Sequence, residues 1–138
     1  MRARGLMSAG VPLVGLAVVL AACSSSGGGS TKTEVAGVKV NDHGTKDVTG
    51  MSSLDIEADN FYFEPTVLKG TPGQKLTITI ENDTGTDHNF SITSQNVDKD
   101  VNAKHDETVT VTFPSTGVVS FFCEYHKKKG MAGGIQSS

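Results

Sequence analysis

Beyond residue 53, apolar side chains fall on alternate positions, the pattern of strands that bury one face. Leu54, Ile56 and Ala58 share one parity, as do Leu76, Ile78 and Ile80, then His88, Phe90 and Ile92, then Val109, Val111 and Phe113, then Val119, Phe121 and Cys123. Their neighbours are largely Thr, Ser, Lys, Glu and Asn. Gly70-Thr71-Pro72-Gly73, Asn82-Asp83-Thr84-Gly85 and Pro114-Ser115-Thr116-Gly117 separate the runs and carry turn chemistry. No stretch after residue 33 sustains a 3.6-residue period. The expectation is an all-β domain over 54–138, either a two-sheet Greek-key sandwich or a small barrel. The polar stretch 93–108 reads as a surface crossover.

Ahead of that domain the pattern changes twice. Arg2 and Arg4 precede an apolar run from Val11 to Ala22 that closes on Leu20-Ala21-Ala22-Cys23. The run is roughly half to two-thirds of the ~20 residues that span a bilayer, so residues 1–22 read as a bacterial export signal rather than a permanent membrane helix. Leu-Ala-Ala-Cys resembles a lipobox, which implies cleavage before a lipidated Cys23 and a mature protein anchored to the outer face of the cell membrane. Residues 23–53 then read as the lipidated Cys and a Ser/Gly-rich polar tether. The short apolar patch at 35–40 is compatible with a first strand or with more linker.

Charge narrows the partners. Losing the two positive charges of Arg2 and Arg4 takes the formal net charge from −3 to −5, and the ten remaining Lys cannot build a strongly basic face, so nucleic acid is not expected as a partner. With 138 residues there is room for one core. Of the two Cys, the anchor takes Cys23 and leaves Cys123 alone in an oxidising compartment, where an unpaired thiol needs burial or a bond.

Cys123 stands in Cys-x2-His-x4-Met, formed with His126 and Met131. With four His and four Met in the chain, a given Cys meets both spacings roughly once in a thousand. Thiolate, imidazole and thioether are soft to intermediate donors, and two His with one Cys and a weak axial Met is the set of a copper electron-transfer site. His88 is the natural second imidazole: it shares the inward parity of Phe90 and Ile92 and opens a strand after a turn. His43 and His105 sit in polar, turn-like surroundings and read as solvated. A single domain Cys excludes a binuclear copper centre, and Met is not among the usual ligands of structural zinc.

On these residues the chain resembles the cupredoxins, the plastocyanins in particular in its loop spacing, over about Leu54 to Ile135. The resemblance implies a cupredoxin-like sandwich with one copper ion held by His88, Cys123, His126 and Met131. It also implies that Asn89, following the first His, bonds across to the loop after Cys123 and ties the two ligand segments together. The segment from Asp59 to Pro65, with Val67 to Gly70 after it, is similar to an N-terminal strand and turn of bacterial cupredoxins. Three departures stand out: Lys127, Lys128 and Lys129 inside the ligand loop, Phe122 where plastocyanins have Tyr, and Gly133-Gly134 in the last strand.

Four protein donors leave no open position for substrate, so catalysis is not expected. Two functions survive: a membrane-anchored electron carrier, or a copper-binding protein for sequestration or delivery. The first is favoured because no exposed Met- or His-rich tract is present. The lysines between two ligands must lie at the metal end, which implies a redox partner with an acidic docking face. A monomer is expected.

Overall fold

In the computed structural model, which describes residues 33–138, the alternating runs become strands of a two-layer sandwich. One layer has four strands: β4 (Ser53–Asp59), β5 (Tyr62–Glu64), β7 (Lys75–Glu81) and β10 (Asp106–Thr112), ordered β10-β7-β4-β5. The other has six: β3 (Thr45–Asp47), β6 (Val67–Gly70), β8 (His88–Ile92), β9 (Val97–Val101), β11 (Val118–Phe122) and β12 (Ala132–Ser137), ordered β3-β6-β12-β11-β8-β9. A hairpin of β1 (Thr33–Val35) and β2 (Val38–Val40) lies outside both.

The alternation survives in the packing. Ile56, Leu76, Ile78, Ile80 and Val111 point inward from the first layer and Leu68, Phe90, Ile92, Phe121 and Ile135 from the second, all essentially without exposed surface. Phe63 of β5 meets Phe90 and Phe121 edge-on at 5.7 and 5.3 Å, and Phe90 stacks on Phe121 at 4.9 Å, so three rings lock the layers together. Each is worth roughly 2 kcal/mol in burial alone.

The patch at 35–40, left open between a first strand and linker, folds as the hairpin. Two expectations need correcting. The segment 41–53 is not tether: β3 joins the six-stranded sheet beside β6, and Val48 is a fully buried core residue. Few apolar positions suffice there, because β3 lies at a sheet edge and Gln74 holds the following turn through the carbonyls of Val48 and Met51. The domain therefore includes this segment. The stretch 93–108 is likewise more than a crossover, since β9 pairs antiparallel with β8. As an edge strand it buries only Val101 fully, with Val97 and Lys99 half-buried on the same parity, and Lys99 is paired with Glu107 at 3.0 Å, which hid the strand behind polar residues. The export signal, Cys23 and the Ser/Gly stretch to residue 32 lie outside the described residues.

The glycine pair in β12 has a packing reason. A Cβ at Gly133 would come within 2.1 Å of the Thr66 carbonyl, and one at Gly134 within 2.4 Å of the Val35 side chain. Small residues there let β6 and the hairpin close onto the strand.

Candidate metal centre

His88 opens β8, Cys123 directly follows β11, and Met131 directly precedes β12, so three strand ends of one sheet deliver the sequence-predicted residues to one end of the sandwich. The loop between Cys123 and Met131 closes on itself. The Cys123 amide donates to the Met131 carbonyl at 2.9 Å, the His126 amide to the Cys123 carbonyl at 3.2 Å, and the Met131 amide to the His126 carbonyl at 3.3 Å. Lys127–Lys129 form a 3-10 turn ending at Gly130, whose φ of 90° is the left-handed geometry that glycine adopts without penalty.

Inside this frame the donors converge. His88 Nδ1 and His126 Nδ1 are 3.3 Å apart, Cys123 Sγ is 3.5 Å from His126 Nδ1, and the three ligand atoms all lie within 4.8 Å of one another. Two nitrogens bonded at about 2.0 Å to one ion at a tetrahedral angle stand about 3.3 Å apart, and a nitrogen and a thiolate sulfur bonded at about 2.3 Å stand about 3.5 Å apart, with zinc's bond lengths as the guide. These two spacings match those of donors that share an ion. His88, Cys123 and Met131 are fully buried and His126 is partly exposed. Among the described residues Cys123 is the one free cysteine.

Electrostatics keeps both rings ready to bind. Burial, reinforced by the neighbouring His126, pushes the pKa of His88 down from 6.5 to about 4, and burial with the nearby Lys129 ammonium lowers that of His126. Neutral imidazole is the ligating form. The Thr84 hydroxyl lies 3.3 Å from His88 Nε2, so a proton on Nε2 leaves Nδ1 as the lone-pair donor that faces His126. Burial raises the Cys123 pKa, and the nearby backbone amides of Asn89, His126 and Tyr125 act in the opposite direction. Those amides would hold the thiolate once a metal displaces its proton.

Asn89 is also buried and fully engaged. Its Oδ1 accepts from the Glu124 amide at 3.3 Å, across to the segment after Cys123, and from the Ser91 hydroxyl at 2.6 Å. Its Nδ2 donates to Asp98 and Asp100, and Asp100 in turn accepts from the Tyr125 hydroxyl at 2.5 Å. That bond to a carboxylate pushes the phenol up to about 12.

The lysines ring the exposed edge of His126. Lys127 Nζ lies 4.3 Å from the Phe122 ring and Lys129 Nζ 4.1 Å from the Phe61 ring, and Phe61 packs against His126 at 4.5 Å. The other two histidines are elsewhere: His43 stacks on Tyr62 at 3.5 Å, and His105 bonds the Ala103 carbonyl. Sequence reasoning missed Thr84 and Phe61. Thr84 had a legible signal, since it occupies an Asn-initiated turn four residues before His88 and its amide bonds Asn82 Oδ1. Phe61 had none, because its contact with His126 depends on how the two sheets pack.

A family model described as a cupredoxin-like domain matches residues 13–133. No curated protein matches the chain. Among solved structures, the metal-binding domain of the Streptococcus pneumoniae D39 Cu(I)-exporting P-type ATPase CopA, with Cu(I), superposes with a TM-score of 0.56 at 14% identity, covering 67% of this chain and 96% of that one. Reduced auracyanin from Roseiflexus castenholzii gives 0.54 at 21% identity, covering 63% and 97%. Auracyanin A, a blue copper protein from Chloroflexus aurantiacus, gives 0.53 at 17%, covering 67% and 100%.

The pKa shifts set a pH signature for the metal-free domain. A histidine depressed on folding favours the native state above its unfolded pKa, and that contribution is lost as pH falls through the folded value. Thermal unfolding of the metal-free domain should therefore show stability constant above about pH 6.5 and declining toward pH 4. His88→Gln should flatten the decline over that window. A slope unchanged by the substitution would show that burial of His88 does not control it.

Proposed function

Because the chain belongs to the cupredoxin-like family, we propose that it carries single electrons on one copper ion held by His88, Cys123, His126 and Met131, anchored to the outer face of a cell membrane through lipid on Cys23. The observation that carries this reading is the convergence of two neutral imidazoles and one buried thiol at the spacing of donors to a single ion. Copper supplies a one-electron change between Cu(II) and Cu(I) when bound. The protein's part is to hold the donors still: Thr84 orients His88, Asn89 couples the two ligand segments, and nearby backbone amides favour the thiolate. A frame already closed around its donors keeps rearrangement small between oxidation states. His126, alone of the four residues in being partly exposed, is the point where an electron enters and leaves.

Copper sequestration or delivery is the second reading, and the likeness to the Cu(I)-bound domain of an exporter favours it. Burial supports the carrier. Three of the four donors have no exposed surface, which slows handover of the ion. The donor set and its closed frame suit electron transfer rather than turnover of a substrate, so we do not assign an enzymatic activity.

The fold also supports an orientation. Thr33 pairs with Val40, and the amide of the next residue, Asn41, donates to the Gly130 carbonyl of the ligand loop, so the chain enters the domain at the metal end. Among the described residues no helix is long and apolar enough to cross a membrane. Ten residue steps separate Cys23 from Thr33 and reach at most about 35 Å. A lipid on Cys23 would thus keep the copper end close to the bilayer, within reach of a membrane-bound partner. Lys127, Lys128 and Lys129 are exposed there, whereas Asp106, Glu81, Glu57 and Glu64 form a carboxylate row across the outer face of the four-stranded sheet. That polarity favours a partner with an acidic docking face and a monomeric carrier that presents its lysines to it.

Cu(II)-loaded protein should show an intense blue thiolate-to-copper absorption that Cys123→Ser abolishes. Met131→Leu should keep the copper and raise the reduction potential, whereas His88→Ala should weaken binding itself; equal loss of copper from both would remove Met131 from its weak axial role. Mass spectrometry of the native protein should find lipid on an N-terminal Cys23, and a mature form that starts elsewhere would leave an ordinary secreted protein. Electron exchange with the physiological partner should slow as the Debye length falls from about 30 Å at 0.01 M salt to about 8 Å at 0.15 M. Replacing Lys127, Lys128 and Lys129 by Gln should flatten that dependence with the blue spectrum unaltered, and an unchanged salt profile would exclude docking through these lysines.

A further inference from the structure

The ligand loop is fastened from outside by a residue far away in sequence. Asn41, immediately after β2, donates its backbone amide to the Gly130 carbonyl at 2.8 Å. Its side-chain Nδ2 donates to the Lys129 carbonyl and to the Phe61 carbonyl, both at 2.8 Å. These bonds grip the two sides of His126. Lys129 and Gly130 are the last residues before Met131, and Phe61 is the residue whose ring packs on the His126 imidazole. The fit is tight: a Cβ on Gly130 would stand 2.9 Å from Asn41 Oδ1 and 3.0 Å from its Cγ. Asn41 is itself held, since its carbonyl accepts from the Thr66 hydroxyl at 3.3 Å and that hydroxyl also bonds the Phe63 carbonyl. The hairpin ahead of it is seated separately, by Val35 and Val40 packing against Ala132.

We infer that Asn41 is a positioning residue for the copper site: it clamps the His126–Met131 loop to the Phe61 loop and so fixes the His126 ring and the approach of Met131. An amide suits the task. One NH2 group supplies two donors to two carbonyls, which neither a hydroxyl nor a carboxylate can do. The inference rests on the copper ligands proposed above, and the test separates the two, because parent protein that failed to bind Cu(II) would refute the ligands before any variant was compared.

The test compares Asn41→Ala with Val35→Ala, which loosens the same hairpin where it packs on β12 rather than on the ligand loop. Three properties are measured: hydrogen exchange of the Gly130 and Met131 amides in metal-free protein, Cu(II) release to a chelator, and the reduction potential of the loaded protein. Asn41→Ala should speed amide exchange and Cu(II) release on the order of tenfold, the loss of about 1.4 kcal/mol of restraint, and shift the potential. Val35→Ala should lower the melting temperature while leaving release and potential as in the parent. If Asn41→Ala does not fold, Asn41→Ser, with one donor in place of two, enters the same comparison. Release, potential and amide exchange all equal to the parent's in the Asn41 variant, or altered as much by Val35→Ala, would overturn the role.

Discussion

Three donor atoms, two imidazole nitrogens and a thiol sulfur, are crowded to within 4.8 Å of one another at one end of the sandwich, and the rest of the structure is arranged to keep them there. Such a cluster opposes itself. Two positive imidazoliums this close repel each other, and a thiolate in apolar surroundings is costly. The fold answers with burial, which holds the imidazoles neutral, and with nearby backbone amides that favour the thiolate. A metal ion removes the conflict by satisfying all three donors at once.

Rigidity at that end comes from tying together segments distant in sequence. Asn89 joins the first-His strand to the loop after Cys123, the Cys123 amide joins both ends of the ligand loop, and Asn41 fastens that loop to the Phe61 turn. Below them the stacked and edge-on rings of Phe63, Phe90 and Phe121 join the two sheets. The donors therefore sit on a frame braced in each direction except outward, where the His126 edge and the lysines meet solvent. Closure and access are thus separated: a metal held there would be enclosed, while one edge of His126 stays open to solvent.

Much of this was legible in the chain, for identifiable reasons. Alternation in β4, β7, β10 and β11 is a property of the local sequence, and the inward parity of His88 followed from Phe90 and Ile92 two and four residues on. Cys123, His126 and Met131 share one short loop, so their spacing alone exposed them. What stayed hidden depends on tertiary context. β3 and β9 are edge strands with few buried positions, so their polar composition looked like linker. Asn41 reads as an ordinary turn residue until the register of the hairpin sets it against Gly130, which is 89 positions further along the chain. Phe61 likewise gains its meaning only when the two sheets bring it onto His126.

The account stands on a frame that sets the donor geometry before the metal arrives and keeps it through the redox cycle. Crystal structures of metal-free, Cu(II) and Cu(I) protein measure this directly. The separation of the His88 and His126 Nδ1 atoms should remain near 3.3 Å, and that of Cys123 Sγ and His126 Nδ1 near 3.5 Å, in all three. A His126 ring that swings out of the cluster in the metal-free or Cu(I) state would contradict it.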